Sequence, residues 1–212
     1  MDDLRRLVTG YFYHIYNRGN NRENLFLEPE NYRYFLQCWL QYVHPIAETY
    51  AYALLKNHFH SLIRIRPLPE LMLLPSINVR TNDPSYLSNK LSKCFSNCFN
   101  AYAKAINKRY QRSGSLFQER FRRKLIMEND YLSDVILYIH TNALKHGMVK
   151  RGELYPHTSY SPLLSGQPTR LQRQKVFGIF GGREAFVIAH QRYSENLVLK
   201  KIIFESEDDD RE

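Results

Sequence analysis

Cysteine is scarce in this chain, with three in 212 residues: Cys38, Cys94 and Cys98. The number is odd and no Cys-x-x-Cys occurs, which argues against a disulfide scaffold and the common zinc or redox motifs. Cys94 and Cys98 fall one turn apart on an apolar helix face, the usual place for buried thiols. Long hydrophobic runs are missing too; none approaches the ~20 residues of a membrane span. The acidic, arginine-bearing start from Met1 to Arg6 does not read as a signal peptide. The expectation is a reduced, cytoplasmic protein with no membrane partner, one domain with appendages at this length.

Acidic residues are almost absent from one window. Between Lys90 and Lys124 ten basic residues (Lys90, Lys93, Lys104, Lys108, Arg109, Arg112, Arg120, Arg122, Arg123, Lys124) meet one acid, Glu119. That window alone carries the formal charge of +9, because the remaining 20 basic residues balance 20 acidic ones. A solvated helix face and a basic strand would have the same composition. Phe95, Phe99, Tyr102, Tyr110, Phe117 and Phe121 interleave the charges, which favours nucleic acid, although several of these rings must serve the core.

The order of elements follows from periodicity. Tyr11–Tyr16 reads as a strand closed by the turn-rich Asn17-Arg18-Gly19-Asn20-Asn21. Pro29 opens a helix with apolar spacing from Tyr32 to Val43, ending before Pro45. Strands follow at about Glu48–Leu55 and His58–Arg66, then a long loop from Pro67 to Pro84. Leu87, Leu91, Phe95, Tyr102 and Ile106 mark a second helix, broken at Ser113-Gly114. Leu116–Ile126 reads as a fourth strand. Asn129 or Asp130 can cap a third helix running to about Lys145, with Gly147 as its stop. The order βαββαβ predicts an α+β, ferredoxin-like antiparallel sheet with helices on one face, plus a C-terminal helix. Residues 1–165 form the main domain, 166–204 a helical extension, and 205–212, with six acids, a disordered tail.

His58 and His60 stand one residue apart in a strand, so both imidazoles project from the same face while Phe59, Ile63 and Ile65 face a core. Neutral imidazoles held together suit a divalent metal. A half-solvated strand face that happens to carry two histidines would look the same. On the third helix Tyr138 and Asn142 are four apart and stack beside the apolar stripe of Leu132, Val135, Ile136, Ile139 and Ala143. An amide oxygen can serve as a third ligand to a hard cation, and a phenol as a covalent nucleophile. An ordinary amphipathic helix with an interfacial tyrosine has the same pattern.

Taken in order, these motifs resemble the REP-associated tyrosine transposases of the HUH superfamily of single-strand DNA transposases. The resemblance rests on His58-Phe59-His60, on Tyr138-Ile139-His140-Thr141-Asn142-Ala143-Leu144-Lys145-His146-Gly147, on the basic turn from Arg109 to Phe121, and on Tyr13-His14-Ile15-Tyr16-Asn17-Arg18-Gly19. It covers roughly residues 8–163. Two prolines usual in the family are replaced by Lys56 and Ala143, which removes no reacting group. The resemblance implies a metal-dependent endonuclease and transposase acting on single-stranded DNA hairpins of the REP type. It assigns Tyr138 as nucleophile, His58, His60 and Asn142 as ligands of Mg²⁺ or Mn²⁺, and a possible homodimer. Arg120, Arg122, Arg123 and Lys124 are the candidate backbone contacts, with Arg18, Lys90, Arg109 and Arg112 as further DNA-binding candidates. A non-catalytic or domesticated nucleic-acid-binding protein is the competing reading, since a ferredoxin-like sheet with aromatics also binds RNA. A phosphoesterase with paired His-x-Ser/Thr strands does not fit the histidine pair, because His60-Ser61-Leu62 lacks that spacing.

Overall fold

The computed structural model describes residues 6–75, 77, 84–127, 131–149 and 155–209. Four strands, β1 (Phe12–Arg18), β2 (Ala47–Leu55), β3 (His58–Ile65) and β4 (Arg122–Ile126), form one antiparallel sheet in the order β2-β3-β1-β4. Helices α1 (Pro29–Tyr42) and α3 (Pro84–Arg109) complete the ferredoxin-like βαββαβ arrangement. Five further helices are described: α2 (Leu68–Met72), α4 (Leu132–Lys145), α5 (Tyr160–Leu164), α6 (Arg173–Phe180) and α7 (Arg183–Asp209).

Alternation, interrupted in β2 by a bulge between Thr49 and Ala51, divides the sheet into two faces. Tyr13, Ile15, Phe59, Ile63 and Ile65 are fully buried in the core built with Phe35, Trp39, Phe95 and Tyr102 of α1 and α3. On the opposite face Ala51, Ala53, Leu55 and Leu62 are buried in a second core. That core takes the stripe of α4, with Val135, Ile136, Ile139 and Ala143 buried. Small residues on β2 and at Ala143 let α4 come close, so its register against the sheet is set by shape. Val176 of α6 and Phe186 of α7 are fully buried in the same core, which ties the 166–204 extension to the back of α4.

Three expectations change in detail. The fourth strand is shorter than Leu116–Ile126: Leu116 and Phe117 are buried in succession, which breaks alternation, and Arg120 has φ 49°. A left-handed residue interrupts a strand, so Phe117 makes only an isolated bridge to Gly19 and the continuous ladder with β1 starts at Arg122. The loop after Pro67 contains α2, and Ser76 and residues 78–83 lie outside the described residues. The acidic run expected to be disordered is helical from Glu205 to Asp209, an extension of α7; propagating a helix costs far less than starting one. Residues 210–212 lie outside the described residues, as do the expected caps Asn129 and Asp130, and the N-cap position of α4 falls at Tyr131. The expected stop holds, with Gly147 at φ 66° and Met148 N–H donating to the Ala143 carbonyl at 2.9 Å.

Candidate functional site

Sheet register assembles the site. In β1–β3 pairing Arg18 lies opposite His58 and Tyr16 opposite His60. In β1–β4 pairing Arg122 lies opposite Tyr16 and Lys124 opposite His14. His14, Tyr16, Arg18, His58, His60, Arg122 and Lys124 therefore share the face on which α4 sits. With Asn17, Gln118, Tyr138 and His146, five of them (Tyr16, Arg18, His58, His60 and Arg122) line a cleft of about 390 Å³. Its described lining contains no acid and two arginines, so the cleft favours an anion.

α4 delivers the other half. Tyr138 is half-buried and its ring centroid lies 5.7 Å from that of His60, edge to face. Asn142, one turn on, is fully buried, and its Oδ1 lies 3.2 Å from His58 Nε2. The His58 and His60 rings stand 5.2 Å apart at 86°. The ammonium of Lys145 lies 5.5 Å from the Tyr138 ring centroid. Thus His58, His60, Tyr138 and Asn142 lie together.

The polar geometry at His58 is informative. Its Nδ1 lies 2.7 Å from Asn57 Oδ1, while Asn57 Nδ2 donates to the Arg22 carbonyl, which fixes that amide. An amide oxygen only accepts, so His58 Nδ1 carries the proton and neutral Nε2 carries a lone pair. That lone pair faces the oxygen of Asn142, whose Nδ2 is buried with no partner among the described residues. Two acceptors facing each other repel unless the amide turns over or a cation lies between them. Cis ligands of an octahedral Mg²⁺ at about 2.1 Å are about 3 Å apart, close to the observed spacing. The residues present therefore fit a hard divalent cation, with His60 as a further donor. Among the described residues no three His, Cys, Asp or Glu side chains stand together as a metal cage, so the set is two imidazoles and an amide completed from solution or substrate.

Burial keeps these imidazoles neutral, the form that ligates. Desolvation, then His14, His58, His146 and Lys145, push the His60 pKa down to about 2. His58 is lowered mainly by burial, opposed by the Asn142 contact, with His146 and Arg18 adding. His14 falls to about 4 through burial and Lys124.

The basic candidates separate. Arg18 and Arg122 line the cleft, and Arg18 Nε is buried with no partner among the described residues. Lys124 is exposed on the same sheet face, and Arg120 is exposed in the turn before β4. Arg123 points to the opposite face, where it donates to Ser92 Oγ at 2.8 Å and lies over the Phe121 ring. Arg109 pairs with Glu28 at 2.5 Å and Arg112 with Glu23, both away from the cleft. Lys90 lies over the Tyr86 ring on α3. His14, Tyr16, Asn17, Gln118 and His146 were not among the site residues expected from the sequence. Alternation from Arg18 through Tyr16 to His14, and the i+4 step from Asn142 to His146, were the available signals.

No family model matches the sequence, and no curated protein matches it. Among solved structures, a bacterial tRNA(His) guanylyltransferase-like protein in complex with GTP aligns with a TM-score of 0.43 and 10% identity over 68% of each chain, too slight a likeness to argue from. A REP-associated tyrosine transposase bound to a REP hairpin aligns with a TM-score of 0.55 and 17% identity, over 79% of this chain and 89% of that one. The chain is thus similar in fold to that transposase.

Proposed function

We propose that this chain is a metal-dependent single-strand DNA endonuclease and strand transferase, acting beside short hairpins of the REP type through a 5′-phosphotyrosine on Tyr138. One observation carries the reading: a phenol, two neutral imidazoles and a buried amide oxygen converge on one acid-free, arginine-lined cleft. A non-catalytic binding module has no need of that convergence. The fold relative bound to a hairpin supports the choice of substrate class.

In the reaction Tyr138 Oη bonds to the scissile phosphorus as the bond from phosphorus to the 3′ oxygen breaks. The phenol gives up its proton and the 3′ oxygen takes one up. The number of phosphoester bonds is unchanged, so a 3′-hydroxyl can attack the phosphotyrosine and rejoin strands without ATP. Mg²⁺ or Mn²⁺ held by His58, His60 and Asn142 would supply Lewis-acid polarisation of the phosphate. Arg18 and Arg122 neutralise charge on the non-bridging oxygens, and Lys124 tracks the backbone.

The test is Tyr138→Phe on a hairpin with a single-stranded flank. Cleavage and the covalent adduct should vanish while hairpin binding persists. Undiminished cleavage by the phenylalanine protein would overturn the nucleophile. Tight binding with no cleavage by the wild-type protein in Mg²⁺ or Mn²⁺ would leave the binding-module reading standing.

A further inference from the structure

His14 is one of the site residues that the reaction above does not use. It lies diagonally across the β1–β3 pairing from His60, and its Nε2 is 2.9 Å from His60 Nδ1. At that distance the two rings share one proton. His14 also meets the Tyr138 ring edge to face at 6.0 Å. It is half-buried, and Lys124 lies opposite it across the β1–β4 pair.

The direction of the shared hydrogen bond decides what His60 can do. If His14 donated, neutral His60 would carry its proton on Nε2 and present no lone pair there. If His60 donates from Nδ1, Nε2 is free to ligate and His14 holds its own proton on Nδ1. We propose that His14 is a positioning residue: by accepting the His60 Nδ1 proton it fixes His60 in the tautomer that offers Nε2 to a metal. Asn57 does the same for His58 through its Oδ1, so each imidazole of the pair is held by an acceptor on Nδ1. Partners that orient a ligating histidine in this way typically alter metal affinity by about 10–100-fold when removed. The inference rests on the metal-ligand reading of His58, His60 and Asn142.

Two measurements test it. Long-range ¹H–¹⁵N spectra of the metal-free protein at neutral pH should show His60 protonated on Nδ1 in the wild type, and a mixture of tautomers in His14→Ala. Mn²⁺ binding by calorimetry should weaken by about 10–100-fold in His14→Ala. It should recover in His14→Gln, whose amide oxygen can accept the same proton, with melting temperature recorded for each variant. A wild-type His60 protonated on Nε2 overturns the inference without need of a variant. So does unchanged Mn²⁺ affinity in a folded His14→Ala protein, or a glutamine variant no better than alanine. A wild-type protein that takes up no Mn²⁺ overturns the metal reading and this inference with it, whereas wild-type binding that His14→Ala leaves intact overturns this inference alone.

Discussion

His58 Nε2 and Asn142 Oδ1 stand 3.2 Å apart, joined across 84 residues of chain by the packing of α4 on the sheet. Under the proposed function both atoms are ligands of one cation, whereas an amide turned over would donate its Nδ2 to His58 Nε2 instead. Asn142→Ala should weaken Mn²⁺ binding by at least about tenfold and abolish most of the Mn²⁺-induced rise in melting temperature. Asn142→Asp, which adds a charge at the same place, should retain or strengthen binding. Calorimetric affinity equal to the wild type in Asn142→Ala would remove the amide from the ligand set.

Arg122 and Arg123 are neighbours with opposite fates, because successive strand residues face opposite ways. Arg122→Ala should weaken single-stranded DNA binding across sequences and lower the salt slope by about 1, read by fluorescence anisotropy at several salt concentrations. Arg123→Ala should leave the slope alone and instead lower stability by about 1 kcal/mol, through the lost bond to Ser92 and the contact with Phe121. Equal effects of the two variants on DNA binding would mean that the sheet face does not select the DNA contacts.

The same contrast shows what the sequence could and could not convey. Alternation in β3 and helical spacing in α4 are local, and they place His58 with His60 and Tyr138 with Asn142 without further help. That the two pairs meet depends on α4 docking on the second face, through Ala51, Ala53 and Ala143, which no local pattern states. The run of basic residues from Arg109 to Lys124 is one cluster on paper. In space it divides, because Glu28 and Glu23 come from distant chain to pair with Arg109 and Arg112. His14 was hidden for a related reason: its partner is a diagonal neighbour on another strand, legible only once the register is known.

A buried relay secures the back of α4. His190 Nδ1 donates to the Phe186 carbonyl at 2.7 Å, so its Nε2 accepts from His140 Nδ1 at 2.8 Å, and His140 Nε2 accepts from Ser159 Oγ at 2.6 Å. Burial holds the His190 pKa down at about 4, whereas the unfolded chain titrates near 6.5. Above pH 6.5 both states are neutral and the group is silent. As pH falls from about 6.5 toward 4 the unfolded chain takes up the proton first, so stability should drop, by up to about 3 kcal/mol from this group. His190→Leu orphans His140 Nδ1 and should cost about 1–3 kcal/mol at pH 7 in urea unfolding. Its deficit should narrow by pH 5, because the variant no longer carries the acid penalty at residue 190. A deficit that widens on acidification would contradict the neutral relay.

Gly19 holds the end of β1 against the turn that leads into His58. Its N–H donates at 2.7 Å to the carbonyl of Asn57, the residue whose side chain fixes the His58 tautomer. Its φ of −61° would suit any residue, so conformational freedom is not the reason for glycine here. Space is: a Cβ would fall 2.0 Å from the backbone oxygen of Glu23, an atom that no rotamer change can move aside. Gly19→Ala must therefore shift the 20–23 turn or the end of β1, at a cost of about 1–3 kcal/mol. Because Arg18 and Asn57 flank the displaced segment, the variant should also lose Mn²⁺ affinity, while Gly114→Ala should lose stability without touching the metal. Gly114 has φ 83° and open space around it, in the turn after α3. Thermal melts with and without Mn²⁺ separate the two, and a Gly19→Ala protein with wild-type stability would show that the turn yields more easily than its backbone contact implies.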